Sequence, residues 1–528
     1  MYLKYIIFAT LGLFLGINLA YSLNFSTEIF FVSLVIGFIN FLIHKFSKRS
    51  FGVYKNKTPI LLTFLFVFVS FGILLGQISL AKEISRKESF NTFISQDENF
   101  LGVVSKIEST EKSQQLLLKT KDNEKEKSYK IKIVTTKIPE YKAGESILVS
   151  GEVNTEKILL PKIESKINKS FNLQDMNETK EIDGEISFPK ISTSSTTLKI
   201  NFLENLFYKL QGLKLGLVKT LDTLVPRSVA SLASGTTLGD DSLFSKQELE
   251  NFRVAGLSHI IVLSGFNITI LIAFLFFVFL NLRIKLKYRV CLTILGIIVF
   301  IVFVGASPSL VRAAIMGSVL LLGFLSGRGY VAKQSLFLAA FFMMLISPKI
   351  AVSNVSFHLS FLATFGILYL APIFDQYKFF KKYQDEEEFL TFKKKILKSL
   401  LQVFKITLAV QILVLPYIAF KFGSISLFGL IANILVVPFI PLFMFLSFLI
   451  IFFSFFLPIF STLFGYFSLI FSKYIFGVAE FVSSFSISEM TGNLSLFNLI
   501  LFYLILLFYI YFEDKRFSIK KYFEKEEF

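Results

Sequence analysis

Residues 256–280 read GLSHIIVLSGFNITILIAFLFFVFL, and this stretch decides what kind of fold the chain can adopt. It is long enough to cross a bilayer, since a helix needs roughly 20 apolar residues to span ~30 Å of hydrocarbon. Its first half nevertheless carries Ser258, His259, Ser264, Asn267 and Thr269. A polar group buried in lipid without a partner is costly, so these residues require a bundle interior or a wet path. The Ser264-Gly265 pair marks an expected kink or break. A helix that is polar and breakable where it enters the membrane suits a transport path better than an anchor.

Working outward, the composition fits that reading. Of 528 residues, 54% are hydrophobic, and apolar runs recur along most of the chain, so the fold class is a polytopic α-helical membrane protein of about 12 spans. The run from Ile6 to Leu23 has only Lys4 before it and no small-residue cleavage site after it, which reads as a retained helix. Cys291 is the one cysteine, which excludes an intrachain disulfide and a thiolate metal cluster. The formal net charge of +17 suits an anionic membrane surface or a polyanion such as nucleic acid. Cytoplasmic loops that obey the positive-inside rule account for most of it.

The charge pattern divides the chain into five parts. Residues 1–81 hold three spans near 4–23, 27–46 and 59–80, and the basic loop from Lys45 to Lys57 places the N-terminus inside. Residues 82–190 balance 19 Lys/Arg against 19 Asp/Glu and contain no membrane-length run. Short alternating segments at 100–107, 115–120, 129–135, 146–153 and 182–188 predict a small extracytoplasmic β-barrel, OB-like in strand number. Residues 191–255 read as a linker at 191–200 followed by surface amphipathic helices. The first helix sets Phe202, Leu206, Leu210, Leu213 and Leu217 against Lys209, Lys214 and Lys219, which suits either the membrane surface or packing on the bundle. Residues 256–482 form the main membrane block, with spans at 256–280, 290–306, 308–326, 331–346, 354–374, 398–420, 424–455 and 459–482. Residues 483–528 add a final span at 494–512 and a basic tail. Alternating the spans puts Arg283–Arg289, Arg328, Lys333 and the tail inside. The segment 424–455 is too long for one crossing and carries Pro438 and Pro441, so it is a broken helix or a re-entrant hairpin.

Familiar catalytic and metal-binding chemistries find little support. Ser264 lacks the first glycine of G-x-S-x-G and follows no strand, and His259 lies on the wrong face of a straight helix to serve it as a base. Only His44, His259 and His358 exist, with no zinc-binding spacing, and no P-loop occurs. No cofactor is therefore expected. What remains is intramembrane polarity at Arg312, Asn354, His358, Ser360, Gln411 and Asn433, which suits a hydrated conduit. Ser309, Ala313 and Gly317 form a small-residue face beside Arg312. Gly239, Asp240 and Asp241 form a turn ahead of the helix expected at 246–254, with the aspartates as its acidic cap. In the β domain Lys125, Lys127, Lys130 and Lys132 with Tyr129 form a basic run, either a DNA-binding strand or a solvated face.

At these residues the sequence resembles the ComEC competence-channel family. The blocks that carry the resemblance, in order, are SGTTLGDDSLFSKQELENFRVAGLSHIIVLSGFNITIL at 234–271, SPSLVRAAIMG at 307–317, SPKIAVSNVSFHLSFLATFGILYLAP at 347–372 and FGSISLFGLIANILVVPFIPL at 422–442. The resemblance implies a DNA-uptake channel that passes one DNA strand across the cytoplasmic membrane during natural transformation. The external OB-like domain would receive the DNA, and His259, Ser264, Gly265, Asn267, Arg312, His358, Ser360 and Asn433 fall on matching channel positions. Implied partners are single-stranded DNA, the lipid bilayer, a DNA receptor, a cytoplasmic helicase and a separate nuclease. Many relatives carry a C-terminal metallo-β-lactamase-like domain, whose histidine motif this sequence lacks, so an enzymatic role is not expected. The residues alone leave two rivals: a transporter of a small or lipid-like solute, and a membrane scaffold.

Overall fold

The computed structural model describes residues 2–23, 58–96, 99–109, 113–121, 128–136, 141, 144–151, 153, 184–193, 202–261, 263–327, 331–377, 392–426, 428–485, 489–491 and 494–526. In chain order the elements are α1 (Tyr2–Leu23), α2 (Thr58–Gln96), β1 (Asn99–Ser109), β2 (Ser113–Lys121), β3 (Ser128–Thr136), β4 (Ser146–Ser150), β5 (Gly184–Ser187), β6 (Lys190–Thr193) and α3 (Phe202–Leu224). There follow α4 (Arg227–Ala233), a π-helical turn (Ser234–Leu238), α5 (Lys246–Val254), α6 (Ser258–Ile261), α7 (Gly265–Asn281), α8 (Leu286–Val304), α9 (Pro308–Ser326), α10 (Ala332–Ile346) and α11 (Ile350–Ser353). Next come α12 (Val355–Phe365), a second π turn (Gly366–Leu370), α13 (Ala371–Phe374), α14 (Phe392–Phe422) and β7 (Ser424–Ser426). The chain closes with α15 (Gly429–Val436), a 3-10 turn (Val437–Phe439), α16 (Ile440–Phe456), α17 (Pro458–Ser483), β8 (Glu489–Thr491) and α18 (Leu496–Glu526).

Among the described residues, nine helical stretches are long and apolar enough to cross a membrane, and Tyr5–Tyr21 and Ala332–Ile346 are shorter apolar helices. The molecule is a polytopic helical membrane protein with a small sheet. The span expected at 27–46 and the basic loop at 45–57 lie outside the described residues. The chain divides into two compact units, Met1–Leu217 with Ile268–Phe357 and Val218–Asn267 with His358–Phe528.

In the first unit, α1 and α2 cross through glycine. A Cβ at Gly12 would fall 2.6 Å from the Leu65 carbonyl oxygen, one at Gly72 would fall 2.5 Å from the Leu13 carbonyl oxygen, and one at Gly16 would meet the Val69 carbonyl. With no side chain between them the backbones touch, which is how apolar helices gain dispersion contact in a solvent as apolar as themselves. Helix α2 does not stop with its apolar run. Residues 82–96, expected to open the β domain, continue the helix and insert Phe90 and Phe93 into the core of the sheet. Burying each aromatic ring is worth about 1.5–3 kcal/mol, so the sheet is built onto α2 rather than tethered to it.

The sheet has the order β5-β3-β2-β1-β4-β6, with every pair antiparallel except β3–β5. A bulge between Val104 and Lys106 bends β1. Strand β6 occupies 190–193, so the first three residues of the expected 191–200 linker belong to the sheet.

Helix α3 keeps part of its expected pattern and departs from it elsewhere. Leu217 is buried and Lys209 and Lys219 are exposed as expected, but Leu206 and Leu213 are exposed, and Lys214 is buried along with Gln211. The cause is local chemistry. Lys214 Nζ donates to the carbonyl oxygen of Val304 at 3.3 Å and Gln211 Nε2 to that of Phe303 at 3.5 Å, satisfying the last carbonyls of α8 where Gly305 (φ 116°) ends it.

In the second unit, α17 presents a stripe of small residues. Ser461, Ser468, Ser472 and Ala479 are buried, and a Cβ on Gly465 would lie 2.5 Å from Val225 Cγ1. The stripe seats α4, with Ser228 Oγ 3.2 Å from Ser472 Oγ, and α16, whose Ile450 carbonyl accepts from Ser461 Oγ at 3.0 Å. The doubtful segment at 424–455 resolves into β7, paired with β8, and one helical run, Gly429–Phe456, interrupted by the 3-10 turn at 437–439. Pro438 and Pro441 lack the N–H groups that a continuous α-helix needs there.

Candidate functional site

The site in the second unit is built around residues 226–267. Helix α4 is buried from Val229 onward and widens into the π turn because its hydroxyls bond backward. Thr236 Oγ1 donates to Leu232 O at 2.7 Å, Thr237 Oγ1 to Ala233 O at 2.6 Å, and Ser234 Oγ to Ser231 O at 2.9 Å. Gly239 (φ 64°) ends the turn in the left-handed conformation that glycine adopts without penalty. Asp240 does not cap α5. Its Oδ1 accepts from the Ser242 N–H at 3.1 Å and from the Ser242 hydroxyl, bracing the loop. The cap is Ser245, which accepts from Glu248 N at 3.2 Å while Glu248 Oε2 accepts from Ser245 N at 2.7 Å. Asp241 is exposed on the same loop.

Helix α5 ends at Gly256 (φ 70°), and the chain breaks between α6 and α7, where the Ser264-Gly265 pair predicted an interruption. Ser264 Oγ donates to Asn267 Oδ1 at 3.1 Å, and Asn267 Nδ2 donates to the Thr236 carbonyl oxygen at 2.5 Å. Asn267 is buried and locks the start of α7 to the π turn. His259 is exposed on α6.

Gly256 lies against α15. A Cβ on it would sit 3.0 Å from Gly429 Cα and 3.1 Å from Ser426 Oγ, and one on Gly429 would sit 3.4 Å from Gln411 Nε2. Four residues further along α15, buried Asn433 donates its amide to the Gly429 carbonyl oxygen at 2.7 Å. Asn433 Oδ1 and Ser426 Oγ are both buried without a hydrogen-bond partner. A glycine-on-glycine contact therefore sits among Ser426, Gln411 and Asn433, three residues from His259. On α12, His358 Nδ1 lies 2.6 Å from Tyr417 Oη of α14, the rings meeting edge to face with centroids 5.4 Å apart. Ser360 is half-buried, and its carbonyl accepts from Thr364 Oγ1 at 2.9 Å.

Arg312 and Asn354 belong to the first unit. Arg312 is half-buried one turn into α9, and the small-residue face beside it receives a side chain, since a Cβ on Gly317 would fall 2.5 Å from Ile272 Cδ1. Asn354 is an N-cap, its Oδ1 accepting from Phe357 N at 2.8 Å.

The sheet corrects one expectation and extends another. Tyr129 is fully buried, with its ring 5.2 Å from Phe93 and 5.1 Å from Phe90, so it cannot stack on a base. Strand alternation decides this, because a residue whose neighbours Lys130 and Lys132 face out must itself face in. Lys132 forms an ion pair with Glu185 at 3.7 Å, and Lys130 pairs in register with Lys119 of β2. Lys119 was invisible in the linear pattern, because only the register places it there. Lys125 and Lys127 lie outside the described residues. Tyr141 packs on the core, where burial and the Glu145 carboxylate push its phenol up.

With this geometry in hand, comparison with known proteins is informative. The Competence protein family matches residues 236–516, which is more than half of the chain and covers the last three residues of the π turn, the broken α6–α7 segment, Arg312, His358 and Asn433. ComE operon protein 3 of Bacillus subtilis (strain 168) is 26% identical over 236 residues, a stretch covering 45% of this chain and 28% of that protein. No solved structure matches. The chain is therefore a multi-pass cytoplasmic-membrane protein that belongs to the ComEC family of competence proteins.

Proposed function

We propose that this protein is the channel through which single-stranded DNA crosses the cytoplasmic membrane during natural transformation. The observation that carries the reading is the family match over 236–516, which coincides with the broken and polar membrane helices. A lipid-facing anchor has no use for a helix interrupted beside Gly256, nor for buried oxygens without partners at Ser426 and Asn433. His259, Ser264, Gly265, Asn267, Arg312, Asn354, His358, Ser360 and Asn433 are the path and its supports, with Asn267 and Asn354 acting through backbone rather than on DNA. The sheet, read as an OB-like barrel, receives DNA on the face that carries Lys119, Lys130 and Lys132, whose charges offset phosphate. The chain conducts rather than catalyses. A DNA receptor outside, a helicase inside and a separate nuclease complete the process.

Deleting the protein is expected to abolish arrival of labelled DNA in the cytoplasm while surface binding persists, and unchanged arrival refutes the reading. Arg312→Ala and His259→Ala are expected to lower transformation at least about tenfold, the equivalent of roughly 1.4 kcal/mol, with membrane abundance unchanged on immunoblot. Wild-type transformation in both variants removes these two residues from the path.

A further inference from the structure

Between Glu250 and Asp375 the sequence contains no acidic residue, yet Arg283, Lys285, Lys287 and Arg289 alternate through the turn from α7 to α8. The positive-inside rule asks only for charge beside a membrane helix, and lysines on a relaxed turn would satisfy it. This turn is not relaxed. Helix α7 ends in a Schellman motif, with Ile284 N donating to the Phe279 carbonyl oxygen at 3.1 Å and Arg283 N to that of Leu280 at 2.9 Å. The motif sets one residue in the left-handed conformation that glycine adopts without penalty, and that residue is Arg283, at φ 56°. An arginine kept where glycine would relieve the strain has a use for its charge.

Arg289 is held by its surroundings. Its guanidinium lies over the Phe276 ring of α7, 5.0 Å from the centroid, and Nη2 donates to the Ile284 carbonyl oxygen at 3.0 Å. Phe276 in turn meets Phe324 of α9, with centroids 6.5 Å apart. The half-buried guanidinium is thus fixed in direction before any ligand arrives. Around it Arg283, Lys285 and Lys287 are exposed, and so are Leu282, Leu286 and Tyr288 between them, at 64%, 43% and 60%. Charge alone suits any polyanion. Apolar side chains interleaved with the charge suit an anion that carries hydrocarbon, whereas nucleic acid would use the cations and leave Leu282 and Leu286 in water.

We propose that the α7–α8 turn binds the headgroup of an anionic phospholipid. Arg289 offers its fixed guanidinium to the phosphate, Arg283, Lys285 and Lys287 surround it with further charge, and the acyl chains lie beside Leu282, Leu286 and Tyr288. The proposal does not rest on the channel reading above.

The test reconstitutes the full-length protein in vesicles of equal parts phosphatidylglycerol and phosphatidylcholine with matched acyl chains. After extraction in mild detergent, native mass spectrometry counts the lipids that stay bound. Bound phosphatidylglycerol is expected to exceed phosphatidylcholine at least about threefold. Arg289→Gln is expected to bring the two close to parity. Because Arg289 also packs on α7, a second variant, Arg283→Gln with Lys285→Gln and Lys287→Gln, removes exposed charge alone and is expected to cut the excess by about half or more. Parity in the wild type, or an unchanged excess in either variant, overturns the proposal. So does an equal loss in Lys209→Gln with Lys219→Gln, exposed cations of α3, because charge at any place would then serve. Displacement of the bound lipid by inorganic phosphate or by oligothymidylate also overturns it, by assigning the cations to a free anion or to nucleic acid.

Discussion

Two places in this molecule bring backbones together through glycine, and they do opposite things with the closeness. In the crossing of α1 and α2, Gly12, Gly16, Gly72 and Gly76 line an apolar seam between two uninterrupted helices. Each helix satisfies its own backbone there, so contact costs nothing in hydrogen bonds and stays shut. At Gly256 and Gly429 the closeness occurs where helices end or begin, and Ser426 and Asn433 each leave a buried oxygen without a partner. An unmade buried bond costs about 1–3 kcal/mol. The first contact is permanent packing. The second, next to His259 and the α6–α7 break, leaves two buried acceptors open.

The comparison breaks most visibly at the seam. Gly16→Leu drives a side chain into the Val69 carbonyl and is expected to destabilise by about 3 kcal/mol or more, seen as a several-fold drop in the folded protein recovered in detergent. Wild-type recovery would show that α1 and α2 do not depend on the glycine contact. Asn267→Ala comes next, because it strips the Thr236 carbonyl of its only described side-chain donor and should cost about 2 kcal/mol in thermal unfolding. Gly256→Ala places a Cβ at φ 70° against Gly429 Cα and should cost about 1–2 kcal/mol, with loss of DNA passage exceeding the loss of stability. Asn433→Ala should be the mildest, under about 1 kcal/mol, since removing Nδ2 from the Gly429 carbonyl is partly offset by removing the unsatisfied Oδ1. If Asn433→Ala proves as damaging as Asn267→Ala, the Oδ1 has a partner in the membrane that the polypeptide does not supply.

Much of this was legible from residue type. The apolar runs placed most membrane helices within a few residues, and Pro308–Ser326 coincides with the expected 308–326, because Pro at N1 and Gly327 after the end punctuate it. The alternation of β3 announced a strand, but not which face was buried. That required Phe90 and Phe93, which arrive from a helix whose charged second half looks like loop in the sequence. Lys214 failed for a related reason. A lysine on a helix face reads as solvated until the open carbonyls at the end of α8 appear beside it. The acidic pair Asp240-Asp241 drew the eye as a cap, whereas Ser245 and Glu248 carried the capping-box spacing all along.

By itself the sequence determined what the bilayer and the peptide unit enforce: apolar length, the break at Ser264-Gly265, the proline-bearing interruption at 437–439 and membership of a family through ordered blocks. These are local properties, set by neighbours within a few residues. The tertiary structure alone decided which polar groups meet. Asn267 finds Thr236 across 31 positions, His358 finds Tyr417 across 59, and Lys214 finds Val304 across 90. A buried donor takes whichever acceptor packing brings within reach, and that choice depends on distance in space, which residue order does not encode.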